Sequence, residues 1–150
     1  LLDYLAGKPE VVLATGHGSP AEIDALVQAA AAKGVRRILV NHPFCLIEAS
    51  MEQMLRWASL GAILELNACD IDPVSSFADG DLDVVAAMLE QIPGDRLVID
   101  SDYGQYGNIE PVEGLLHFAR FLREKFGIHE DQLHQMGVAT PGWLLGLQDL

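Results

Sequence analysis

Three apolar runs in this chain lead into side chains that bind metals. Val11–Ala14 passes through Thr15 and Gly16 to His17. Ile38–Val40 passes through Asn41 to His42. Leu97–Ile99 passes through Asp100 and Ser101 to Asp102. Two imidazoles and a carboxylate are the ligand types of a hydrolytic divalent ion that keeps one position open for water. Water held there has its pKa lowered toward neutrality, and a nearby carboxylate can take its proton. Asp102 could serve as both ligand and base. A single histidine at a strand end is as readily a core or capping residue, and it is the repetition at equivalent places that makes this set a candidate. Asp100, two residues before Asp102, points to the same side if the strand continues. It is then a candidate for orienting a ligand from behind. Glu65 lies inside a further apolar run. It must be paired or metal-linked if it faces the interior, and it carries no message if it is a strand-edge charge. Histidine and carboxylate together suit zinc, with manganese, iron and nickel as alternatives.

The elements that must hold these residues repeat along the chain. Ser19, Pro20 and Glu22 make a capping box, followed by an apolar stripe at Ile23, Leu26, Val27 and Ala30 that Gly34 ends. Ser50 with Gln53 makes a second box, with a stripe at Met51, Met54, Leu55 and Ala58 that Gly61 stops. The third strand is Ala62–Leu66, and an acidic loop with Asn67, Asp70 and Asp72 follows it. The third helix carries Leu82, Val85, Ala86 and Leu89, and the fourth carries Val112, Leu115, Leu116, Ala119 and Leu122. Two short pieces close the chain near 129–136 and 140–147, the second capped by Thr140 and anchored by Trp143. Four strand–loop–helix units in succession predict an α/β fold with a parallel sheet over residues 1–150, read as a single α/β domain. From His17 to His42, and again from His42 to Asn67, the spacing is 25 residues. No Gly-x-Gly-x-x-Gly or Walker-type lysine loop follows any strand. An open doubly wound sheet and half of an eight-stranded barrel both fit, and both gather ligands at the carboxyl ends of the strands.

With "ATGHGSPAE", "ILVNHP", "LVIDSDYGQ" and the terminal "ATPGWLLGL" in view, the chain resembles the carboxyl-terminal half of the amidohydrolase superfamily, metal-dependent hydrolases on a (β/α)8 TIM barrel. The resemblance implies that His17 and His42 are the metal ligands of the fifth and sixth strands. It makes Asp102 the eighth-strand aspartate, which binds metal and handles the proton. Glu65, Asn67 and Tyr103 would then lie where substrate contacts are made. The implied activity is hydrolysis of a C–N or C–O bond of a small molecule by metal-activated hydroxide. The family's first strand carries a His-x-His pair, and no two histidines here are two apart. The expectation is therefore that the chain is the C-terminal part of a larger barrel, with that pair upstream of Leu1. The other expectations are a non-catalytic α/β ligand-binding module, or a half-barrel that assembles with itself or with another half as a homo-oligomer.

Composition sets outer bounds. The net charge is −13, from 22 acidic and 9 basic residues, and it argues against nucleic-acid and anionic-membrane partners. Lys33, Arg36 and Arg37 form a small basic cluster at a helix end and strand start. Cys45 and Cys69 lack a C-x-x-C spacing and are expected to be reduced thiols, which suits a cytoplasmic protein. His117, His129 and His134 are expected at the surface, and Phe118, Phe121 and Phe126 in the packing.

Overall fold

A computed structural model describes residues 1–147. Its elements are α1 (Leu2–Ala6), β1 (Val12–Ala14), α2 (Pro20–Ala32), β2 (Arg37–Val40), α3 (Met51–Ser59), β3 (Ile63–Asn67), α4 (Ala68–Ile71), α5 (Leu82–Gln91), β4 (Leu97–Asp100), α6 (Pro111–Phe126), α7 (Glu130–His134) and α8 (Thr140–Leu145). A 3-10 turn at Gly94–Arg96 precedes β4, and a π-helical turn at Gln135–Ala139 joins α7 to α8. The four strands form one parallel sheet in the order β1-β2-β3-β4, with Leu39 beside Ile63, Leu64 beside Leu97 and Asn67 beside Asp100. Both capping boxes form: Ser19 accepts from the Glu22 N–H, and Ser50 from the Gln53 N–H.

Each connection advances one strand in the same direction, and the crossover helices share one face of the sheet. That face is the main core: Ile38, Val40, Leu64, Leu66, Leu97 and Ile99 pack with Val27, Trp57, Met88 and Phe118 from the helices. Side chains alternate across a strand, so the intervening residues look the other way. There Val12, Leu39, Ile63 and Val98 meet Trp143 and Leu144 of α8, which covers the lower part of the second face. The same alternation carries Glu65 and Asp100 onto the upper part of that second face, beyond the apolar patch.

Three expectations need correction. The buried line of α6 is Gly114, Phe118 and Leu122, whereas Val112 and Leu116 are exposed. Gly114 sets this rotation, because a Cβ there would overlap the Tyr103 ring; the missing side chain is what lets the ring approach. Thr140 is the first residue of α8 and not its cap. Its hydroxyl accepts from Gln135 Nε2 (3.1 Å) and donates to the Gly94 carbonyl (3.4 Å), since the preceding π turn runs straight into the helix. His117 is only half exposed, held by a buried aspartate described below. No helix among the described residues is long and apolar enough to cross a membrane.

Candidate functional site

His17, His42 and Asp102 all come to the carboxyl edge of the sheet. The His17 and His42 rings stand edge-to-face with centroids 4.8 Å apart, and His42 Nε2 lies 3.9 Å from Asp102 Oδ2. Gly16, at φ +62°, turns the chain just before His17. His42 and Asp102 themselves hold left-handed backbones, φ +44° and +46°. That conformation is uncommon for residues other than glycine, and such strain persists only where surrounding contacts over-determine it. At His42 those contacts are backbone hydrogen bonds on both sides of the residue. Its N–H donates to Glu65 Oε2 (3.0 Å), and its carbonyl accepts from the Ile47 N–H (3.1 Å).

Glu65 is paired, which decides between the two alternatives left open by the sequence. Its Oε1 accepts from Asn41 Nδ2 (2.9 Å), and its Oε2 accepts from the His42 N–H and from Asn67 Nδ2 (3.3 Å). Asn41 also accepts from the Gly16 N–H (3.0 Å) through Oδ1, and its own N–H donates to Thr15 Oγ1 (3.2 Å). A single amide thus straps the ends of β1, β2 and β3 together. Asn67 caps α4 through Oδ1, accepting from the Asp70 N–H (3.2 Å), and this sets its Nδ2 beside His42 Nδ1 (2.7 Å). Asp70 Oδ2 stands 3.3 Å from the same ring nitrogen. Asp70's hydrogen bond raises the His42 pKa. Burial opposes it, and the charges of Glu65, Asp70 and Asp102 support it. With its proton on Nδ1 and donated to Asp70, the ring presents the Nε2 lone pair forward, the orientation used by ligating imidazoles, and the Asn67 amide donates to Glu65.

Asp100 sits behind this group. Burial first, then the charge and hydrogen bond of Glu65, push its carboxyl up to about 9. The unfolded side chain, with its ordinary value of 3.8, gives up its proton well below that. Between these two values the unfolded state binds fewer protons than the folded one, so this residue's contribution makes stability fall as pH rises. In the metal-free protein, Asp100→Asn removes that contribution. The variant's urea midpoint is expected to gain on the parent's steadily from about pH 4 to about pH 9. A difference that stays constant with pH contradicts the assignment.

Sequence reasoning missed three participants. Asn41 gave no signal beyond its place between an apolar run and His42. Asp70 and Asp72, read from the sequence only as members of an acidic loop, are buried; α4 folds the loop inward. Asp72 Oδ2 pairs with His117 Nδ1 at 2.9 Å, and its Oδ1 accepts from the Val74 N–H (3.2 Å). Tyr103 is buried against Gly114, and among the described residues its hydroxyl is the one buried side-chain oxygen or nitrogen without a partner. Burial beside Asp72 raises its phenol pKa. Both cysteines are free, and burial pushes the Cys45 thiol up to about 11, so it is not a nucleophile near neutrality.

The donor chemistry of His17, His42 and Asp102 fits a borderline divalent ion. Two ligands of tetrahedral zinc stand about 3.4 Å apart, near the 3.9 Å between His42 and Asp102. Among the described residues no three such side chains already surround one point; His17 and Asp102 are both exposed beside His42. A groove of about 290 Å³ at the opposite edge, beside Arg96, Thr140 and Trp143, contains none of these residues.

Residues 1–65 match the model of a family of unknown function, DUF6282. The match takes in the first two βα units and ends at Glu65, so it includes His17 and His42. No curated protein matches the chain.

Proposed function

We propose that this chain is the carboxyl-terminal half of a (β/α)8 barrel, and that its upper sheet edge is part of a metal-dependent hydrolase site of the amidohydrolase type. Its substrate would be a small molecule cleaved at a C–N or C–O bond. The observation that carries the reading is the pair His42 and Asp102. Both are held in left-handed backbone at strand ends and face each other at 3.9 Å, with His17 beside them. Strain of this kind clusters at functional sites. The strand order supports the barrel, because sequential parallel strands with crossovers on one face curl toward closure. An inner face that is apolar below and polar at its carboxyl edge is what a barrel interior presents.

In this reading His17 and His42 would hold the ion through imidazole nitrogen, and Asp102 would hold it through its carboxylate and serve as the proton acceptor. The ion, zinc first among the candidates, supplies Lewis acidity and a water of lowered pKa. Asp70 fixes the His42 ring from behind. Glu65 fixes its backbone, accepting from the His42 N–H. Glu65 and Asn67 lie close enough to His42 to meet a substrate at the same edge.

Zinc titration by calorimetry, with metal content of the purified chain read in parallel, tests the reading. Stoichiometric binding is expected, with His17→Ala weakening it by roughly 10- to 100-fold or more. Zinc affinity equal in the parent chain and in a double His17→Ala, His42→Asn variant would sink it.

A further inference from the structure

We infer that the same edge takes a cationic small molecule with an apolar body and disfavours anions. The inference rests on the reading of that edge as the reacting site and names its substrate class.

The first observation is the sign of the charges. Residues 9–32, 38–55, 57–95 and 97–119 contain no Lys or Arg. All four βα loops lie within these spans, so none of them brings a lysine or arginine to the edge. The carboxylates Glu48, Glu65, Asp70, Asp79, Asp81 and Asp102 stand there instead. The Asp79 and Gly80 N–H groups both donate to the Asp70 carbonyl (3.1 and 2.8 Å), which folds Asp79 back toward the site loop. One divalent ion among these groups leaves the edge negative. A concave site lined by one sign of charge raises the local concentration of the opposite sign and lowers that of its own.

Second, His42 is 8% exposed, and among the described residues its Nε2 makes no hydrogen bond while keeping some contact with solvent. That nitrogen points at Glu65 and Asp102, 3.9 Å from each. An imidazole nitrogen left free and open to solvent beside two carboxylates can meet a ligand there.

Third, the rim is apolar. Leu46, Phe77 and Tyr106 are 57%, 52% and 103% exposed, on the loops after β2, β3 and β4. Two hydrogen bonds bring the last two loops together: the Ser76 N–H donates to Asn108 Oδ1 (3.0 Å) and its hydroxyl to the Gly107 carbonyl (3.4 Å). Phe44 lies against Gly80 and joins the loop after β2 to them. Exposed apolar groups collected on one edge mark a contact surface, and an aromatic face attracts cations as well as apolar bodies. The acidic floor would take the cationic head and the rim the apolar body.

The test uses three probes that share a phenyl body: benzyltrimethylammonium, benzyl alcohol and benzenesulfonate. The first cannot ligate zinc, and the last does so poorly. Binding to the full chain is read by ligand-observed NMR, with and without zinc, at about 20 and about 200 mM salt. The ammonium probe is expected to bind about tenfold tighter than the sulfonate, with the gap narrowing at the higher salt. Asp79→Asn should weaken the ammonium probe alone, and Phe77→Ala should weaken ammonium and alcohol alike. Sulfonate binding as tight as ammonium, or no binding by any of the three, overturns the inference. The zinc titration separates the two readings. Ammonium preference in a chain that does not hold zinc keeps the charge inference and removes the hydrolase. Zinc binding with sulfonate preferred does the reverse.

Discussion

His42→Asn is expected to lower zinc affinity by at least about 100-fold while leaving the fold intact. Loss of a residue that merely supports a ligand costs roughly 10- to 100-fold, and His42 is proposed as a ligand itself. Asparagine is the informative replacement, because His42 sits at φ +44°. Asparagine tolerates the left-handed region, whereas alanine would add backbone strain to the loss of the imidazole. Calorimetric zinc titration reads the effect, and circular dichroism with a urea midpoint checks that the fold survives. An unchanged zinc affinity in a folded variant would remove His42 from the ligand set.

Trp57→Ala is expected to cost about 3–5 kcal/mol of stability, the range for emptying a large aromatic site in a core. Trp57 is fully buried in α3, and its Nε1 donates to Asp24 Oδ1 on α2 (2.8 Å). Arg56 binds the same oxygen through Nη2 (2.6 Å) and Nε (3.1 Å), so one carboxylate joins the two crossover helices. The indole also fills the space between those helices and the sheet. Its removal loosens the two units that set His17 against His42. Urea unfolding followed by circular dichroism measures the loss; a loss below about 1 kcal/mol would mean that the site collapses around the gap.

Much of the architecture was legible because it depends on local signals. Capping boxes at Ser19 and Ser50 satisfy backbone donors with side chains three residues away. The four apolar runs become β1 to β4 within a residue or two of the expected bounds, since a short strand covered on both faces has to be apolar throughout. The helix faces were less legible. In α6 the stripe read through Val112, Leu115, Leu116, Ala119 and Leu122 is turned in the structure onto Gly114, Phe118 and Leu122, because Tyr103 needs the space above Gly114.

The sequence by itself determined that His17, His42 and Asp102 would stand at one edge. In a parallel sheet every strand end of one kind lies on the same side, whatever the strand order. Only the tertiary structure decided how far they come together and what holds them there. The neighbours of His42 include Glu65, Asn67 and Asp70, and Asn41 straps the same group; these residues are up to 28 apart in the chain. No local pattern marks such contacts, because a buried hydrogen bond is satisfied by position in space and not by spacing along the chain. The same holds for Asp72, which reads from the sequence only as a member of an acidic loop. The fold buries it against His117 from a helix 45 residues away. The strand order was likewise a tertiary choice. Apolar runs separated by helices permit several orders, and the helix packing on one face selected the sequential one.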